Sequence, residues 1–264
     1  MSLVTEALRA GHRGAPHRAS GTRRIAVVAG AGGPLGSAVL EQVLGMGGFE
    51  RVRALVTEPV TAAMRGFEAQ TLERLAQGGD AAADTGFIVF DRERHANGRE
   101  LAFLRPLPED LLALARRLHE AGVRRLIVVL PHGALLPQAL KQGLATLDEQ
   151  AVTALAFEQV VFVRSAQSPL AAGGGASALH RLAHAVLAQL HWMVPQRDQP
   201  VRAVKVAAFV ARLAQCLPQA THGTRVVPPE LVWHAAQGGD LPALVDDWLL
   251  HGRMPETPGA MPRY

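Results

Sequence analysis

From Arg24 onward, short β-branched apolar runs alternate with helical segments, and this alternation constrains the fold more than any other feature of the chain. RRIAVVAG reads as a buried first strand, PLGSAVLEQVLGMG as a helix and RVRALVTE as a second strand. FEAQTL is a weaker third strand and GFIVFD a fourth; the helix PEDLLALARRLHEAG, stopped at Gly122, leads into a fifth strand, RRLIVVLP. A long helix is expected within LLPQALKQGLATLDEQAVTALAF, then a sixth strand in EQVVFVRS. Strands joined by helices pair in parallel, so the expected class is α/β: a doubly wound parallel sheet of Rossmann type with a smaller C-terminal lobe. The glycine-rich SPLAAGGGAS marks the boundary of that lobe. Beyond it SALHRLAHAVLAQLHWM, VKVAAFVARLAQCL, ELVWHAA and LPALVDDWLLHG read as helices and TRVVP as a short strand. The organisation expected is a disordered basic tail over 1–22, a Rossmann-type domain over 23–164 and a C-terminal lobe over 165–264 that completes the fold on the substrate or partner side.

Composition narrows the class. The 264 residues are 48% apolar and 19% charged, enough for a large core without staples. Cys216 is the single cysteine, which excludes an intrachain disulfide and a zinc cluster and fits a reducing, cytoplasmic setting. The longest apolar stretches fall far short of the ~20 residues a membrane-spanning helix needs. The net charge of +4 resides in residues 1–24, where five arginines face Glu6, leaving 22 basic and 22 acidic residues elsewhere. The body is therefore neutral and carries no signal for nucleic acid, and the tail, without apolar periodicity, reads as disordered or, alternatively, as an Arg-rich targeting segment.

GAGGPLG, with Gly30, Gly33 and Gly36 spaced GxxGxxG between a strand and a helix, carries the clearest chemistry. Such glycines permit a tight turn, close backbone approach to a pyrophosphate and close helix-to-strand packing. Pro34 suits a first helical position, so the free amides that follow, at Leu35 and Gly36, together with the helix dipole favour an anion. Glu58 follows Gly36 by 22 residues at the end of the second strand, beside Thr57. A carboxylate there accepts hydrogen bonds from an adenosine ribose and repels a 2′-phosphate, favouring NAD over NADP; the competing reading is a solvated loop residue. Arg65 lies near enough along the chain to reach a phosphate.

GAGGPLG after the first strand, VRALVTEP, LLALARRLHEAGVRRLIVV and VVFVRSA together resemble the atypical short-chain dehydrogenase/reductases, including NmrA-like and NAD(P)H-binding members. The resemblance runs from about Arg24 to about Pro229. It implies a pyrophosphate held at Gly30, Gly33 and Gly36, and a nicotinamide and substrate bordered by the loop from Arg164 to Gly175. Many NADP-binding members carry an arginine where this chain has Thr57. Active members generally use a serine after the fifth strand and a YxxxK pair on the next helix, the tyrosine acting as acid and base toward a carbonyl. Leu130 and Pro131 stand in place of the serine, Pro137 in place of the tyrosine, and only Lys141 remains. The sole tyrosine is the last residue, Tyr264.

Two function classes follow. One is a dinucleotide-binding or redox-sensing protein without tyrosine-dependent hydride transfer; the other is an oxidoreductase relying on Lys141 and on His132, which lies just past the fifth strand on the ligand-binding edge. His132 reads equally as a turn histidine, and Lys141 as a ribose ligand or a surface cation. His180, His184 and His191 share one helix face, but without a neighbouring carboxylate they read as a hydrated or interfacial face, and no metal is expected. Trp192, Phe209, Trp233 and Trp248 are not interleaved with basic residues and suit a core or an oligomer contact. The expected partners are a dinucleotide and an unidentified small molecule or protein, with an oligomer possible and neither nucleic acid nor membrane.

Overall fold

A computed structural model describes residues 24–60, 64–77, 82–91, 101–131, 146–165 and 201–254. The basic tail, SPLAAGGGAS, the segment expected to be helical that carries His180, His184, His191 and Trp192, and His132, Pro137 and Lys141 lie outside the described residues.

Seven parallel strands form a single sheet: β1 Ile25–Ala29, β2 Arg51–Val56, β3 Phe67–Thr71, β4 Thr85–Val89, β5 Arg125–Pro131, β6 Gln159–Ser165 and β7 Gly223–Val227. Their order is β3-β2-β1-β4-β5-β6-β7. Every strand expected from the sequence is present, including FEAQTL. Its Phe67 and Ala69 stand opposite Val52 and Ala54 of β2, although β3 itself is only half-buried. Central strands are buried on both faces, hence the near-continuous Val, Ile and Leu runs of β1, β4 and β5.

Helices cover both faces. One face packs α1 (Pro34–Gly45), α5 (Ala203–Cys216), α6 (Pro229–Ala236) and α7 (Leu241–His251) over Ala26, Val28, Phe87, Ile127 and Val161. The other packs α2 (Leu72–Ala76), α3 (Leu111–Glu120) and α4 (Leu147–Thr153) over Val27, Ile88, Val128 and Phe162. In α3 the buried Leu111, Leu114, Ala115 and Leu118 recur at helical spacing, with Arg116 and Arg117 outward. Gly122, at φ +89°, turns the chain out of that helix as its sequence position predicts. Residues beyond 200 add the seventh strand to this same sheet, and α5 lies along α1 in one continuous core.

Of the long helix expected within LLPQALKQGLATLDEQAVTALAF, residues up to 145 lie outside the described residues, and the described part is the seven-residue α4. Thr146 is extended, and its hydroxyl accepts from the Glu149 amide at 3.1 Å, capping α4. Ala156, at φ +58°, then redirects the chain into β6.

At the amino edge of the sheet Asp84 gathers three donors: the Ile25 amide at 3.1 Å, Arg24 Nε at 3.2 Å and an Arg125 guanidinium nitrogen at 3.0 Å. Arg24 also stacks over Phe49, 4.5 Å from the ring centroid. This cluster ties β1, β4 and β5 together at the end remote from the glycine turn.

Candidate functional site

The strand order reverses between β1 and β4, and ligands of open α/β sheets bind at the carboxyl edge of such a reversal. The glycine turn sits there, leaving β1 at Ala29 and entering α1 at Pro34. Gly30 has φ +94°, and a Cβ on it would run into the Val89 carbonyl oxygen of β4. A Cβ on Gly36 would run into the Gly30 carbonyl, so the first turn of α1 folds directly back on the loop. Pro34 takes the first helical position, as its sequence context predicts, after an extended Gly33. Leu35 is buried.

Gly33 has no side chain with which to cap the helix, and a residue 56 positions beyond Leu35 in sequence does so instead: Asp91, just past β4, presents Oδ2 to the Leu35 amide, which donates to it at 2.7 Å. A Cβ on Gly33 would collide with that same carboxylate. The space opened by the missing side chain therefore faces the chain's own Asp91. GFIVFD reads from sequence as a strand, with no role for its aspartate; an acidic residue closing an apolar strand on the ligand-binding edge is the available signal.

A second feature was hidden entirely. Pairing of β1 with β2 ends at Val28 opposite Ala54, because β1 turns away at Gly30. The Val52 amide bonds toward the β3 side, to Gly66, so by strand alternation the Leu55 carbonyl and Thr57 amide face the β1 side. Both are taken by residues 102–104. Leu104 donates to Leu55 at 2.9 Å, Thr57 donates to the Ala102 carbonyl at 2.8 Å, and Phe103 bridges Val56 in antiparallel sense. The Thr57 hydroxyl also donates to Ala102, at 3.2 Å. Arg105 donates to the Gly32 carbonyl at 3.1 Å, and Pro106 packs beside Gly30. Glu58 and Arg65 are exposed nearby along the chain.

At the carboxyl end of β5 and β6, Leu130 pairs with Arg164 and Pro131 with Ser165. Arg164 is fully buried, and its guanidinium donates to the buried Glu149 of α4 at 2.7 Å. A buried ion pair of this kind is destabilising to break, since either partner left alone is an uncompensated charge. It fixes α4 against the end of β6, where the loop expected to border the substrate begins. Among the described residues no cluster of His, Cys, Asp and Glu is arranged to hold a metal ion, and no helix is long and apolar enough to cross a membrane.

A seven-stranded parallel sheet with helices on both faces and its order reversed at β1 and β4 settles the architecture. The fold is of Rossmann type. No family model and no curated protein matches the chain in sequence. Solved structures of similar fold include a Rossmann-fold NAD(P)-binding family protein from Shigella flexneri, at 15% identity and TM-score 0.45, covering 78% of this chain and 93% of that one. Triphenylmethane reductase from Citrobacter sp., complexed with NADP(H), is 15% identical with TM-score 0.45 over 77% of this chain and 69% of its own. Uronate dehydrogenase from Agrobacterium tumefaciens, in complex with NAD, is 13% identical with TM-score 0.45 over 89% and 92%. The fold assignment rests on the sheet and its layers rather than on these distant likenesses.

Proposed function

We propose that this chain binds a nicotinamide adenine dinucleotide at the carboxyl edge of its sheet and acts by binding or redox sensing rather than by tyrosine-dependent hydride transfer. The observation that carries the reading is the glycine turn at the strand reversal: Gly30 and Gly36 in close backbone contact, an extended Gly33, and Pro34 opening a 12-residue helix toward the crevice. In this reading the amides of Leu35 and Gly36 serve the pyrophosphate and Gly33 allows its approach. Thr57 and Glu58, at the end of β2, serve the adenosine ribose, and Glu58 favours NAD over NADP by repelling a 2′-phosphate. Lys141 is the remaining candidate for the nicotinamide ribose.

The inactive reading is supported by what closes β5. Leu130 and Pro131 lack the hydroxyl that the resembled class uses there, and Pro137 lacks the phenol. A positioned acid contributes roughly 10²–10⁴-fold to carbonyl reduction, so its loss removes most of that chemistry.

Calorimetric titration with NAD, NADH, NADP and NADPH tests the binding. The NAD forms are expected to bind more tightly, and the exposed Glu58→Arg variant is expected to reverse the order, because a cation replaces the repelling carboxylate. Tighter NADP binding by the unaltered protein would remove Glu58 from the site. NADH oxidation across aldehydes, ketones and quinones is expected to stay at background. Turnover abolished by both Lys141→Ala and His132→Ala would instead establish the oxidoreductase reading.

A further inference from the structure

Two edges of the crevice that the proposed function needs are engaged by the chain itself. Its helix-side donor, the Leu35 amide, is engaged by Asp91, and its β2-side edge, Leu55 to Thr57, is engaged by residues 102–104. Arg105 spans the gap between the two by holding the Gly32 carbonyl within the glycine turn. Phe103 and Leu104 anchor this strap on opposite faces of the sheet, each packed against a different one of the two hydrophobic cores. The two contacts come from the two ends of one connection, that between β4 and α3, and meet on the sheet end where β1 stops.

We propose that Asp91 and the 102–105 strap form an autoinhibitory plug of the dinucleotide site. The inference rests on the dinucleotide reading and adds its control. A pyrophosphate oxygen and the Asp91 carboxylate compete for the same amide and the same helix dipole, and two anions cannot share that donor. A ribose reaching Glu58 meets a β2 edge already bonded to Ala102 and Leu104. Dinucleotide therefore binds only the form in which Asp91 and the strap have left, and its apparent affinity is lowered by the fraction of molecules in that form. At the N-terminus of α1 the Asp91 carboxylate supplies the cap that Gly33 cannot, standing in for a phosphate and yielding to one.

Asp91→Asn keeps the side-chain shape and removes the charge, while Arg105→Gln loosens the strap at its other anchor without touching the helix N-terminus. NADH fluorescence titration of the full chain and of both variants, with thermal unfolding to confirm that each is folded, reads the effect. Each variant is expected to bind NADH about tenfold more tightly than the parent, the size of losing one charge-assisted hydrogen bond from the competing state. Amide hydrogen exchange supplies a readout without nucleotide: the Leu35 amide is expected to exchange faster in Asp91→Asn and to regain protection when NADH is added. Equal NADH affinity in all three proteins would overturn the plug and leave the dinucleotide reading standing, as would weaker binding by Asp91→Asn, which would make Asp91 a ligand contact. Absence of NADH binding in all three, with Leu35 exchange accelerated in Asp91→Asn, would overturn the dinucleotide reading and the plug with it.

Discussion

Gly36 shows how narrowly a single position can be constrained. It faces the Gly30 carbonyl so closely that one added methyl must displace backbone on one side or the other, and neither side is a flexible side chain. Gly36→Ala is expected to lower stability by about 3 kcal/mol, the upper part of the overpacking range, measured by urea unfolding. Gly45, in the last turn of the same helix, has nothing within 4 Å of the place a methyl group would take. Gly45→Ala is expected to raise stability by roughly 0.5–1 kcal/mol, through lower unfolded-state entropy and better helix propensity. Opposite signs for one substitution within one helix would separate the packing demand of the turn from glycine's general helix cost. The spacing GxxGxxG announced that these positions matter. Which atoms press on Gly30 and Gly33 was not legible, because Val89 and Asp91 lie more than fifty residues on.

Among the elements, α5 and α7 are joined by a small polar knot at an otherwise apolar contact. Arg212 makes a two-pronged contact with Asp246, at 3.0 and 2.8 Å, and the Cys216 thiol donates to the same carboxylate at 2.9 Å. Burial first, and the Asp246 hydrogen bond second, push the Cys216 thiol up to about 12 from 9.0. A raised thiol means the folded state holds its proton more tightly than the unfolded chain. The associated stability is fully present below pH 9 and is lost as pH rises toward 12. Two outcomes are expected. A disulfide reagent at pH 8 should label the unfolded chain quickly and the folded protein only slowly, since the thiolate is the nucleophile. Cys216→Ala should flatten the alkaline loss of stability in unfolding experiments between pH 9 and 11. Rapid labelling of the folded protein at pH 8 would show that the thiol is neither buried nor held by Asp246. The sequence identified α5 and α7 as helices through their apolar spacing, but that a cysteine, an arginine and an aspartate converge between them depends on their crossing.

At the scale of the whole molecule, the residues after 200 are part of the sheet rather than an appendage to it. β7 extends the sheet beside β6, and Val206, Phe209, Val210 and Leu213 of α5 share a core with Leu35, Val39 and Val43 of α1. A chain truncated after residue 200 would expose that apolar face of α1 and leave β6 as an open edge. It is expected to show no cooperative thermal transition by circular dichroism; a sharp one would establish that the chain up to residue 200 folds without β7 and α5. The strands were legible from local pattern because a strand buried on both faces must be a short, uninterrupted apolar run, and β3, half-buried, was accordingly the faintest. The start of α1 was legible too, since Pro34 and the glycines act through their own backbone torsions. The start of α4 at Thr146 was not legible, because apolar spacing does not register a single threonine folding its hydroxyl back on the Glu149 amide. Asp91 on the Leu35 amide, residues 102–104 on the edge of β2 and the Arg164 to Glu149 pair lie beyond any local pattern. Each joins residues from separate elements, and the energy that selects the contact exists only once the sheet has brought those backbones together.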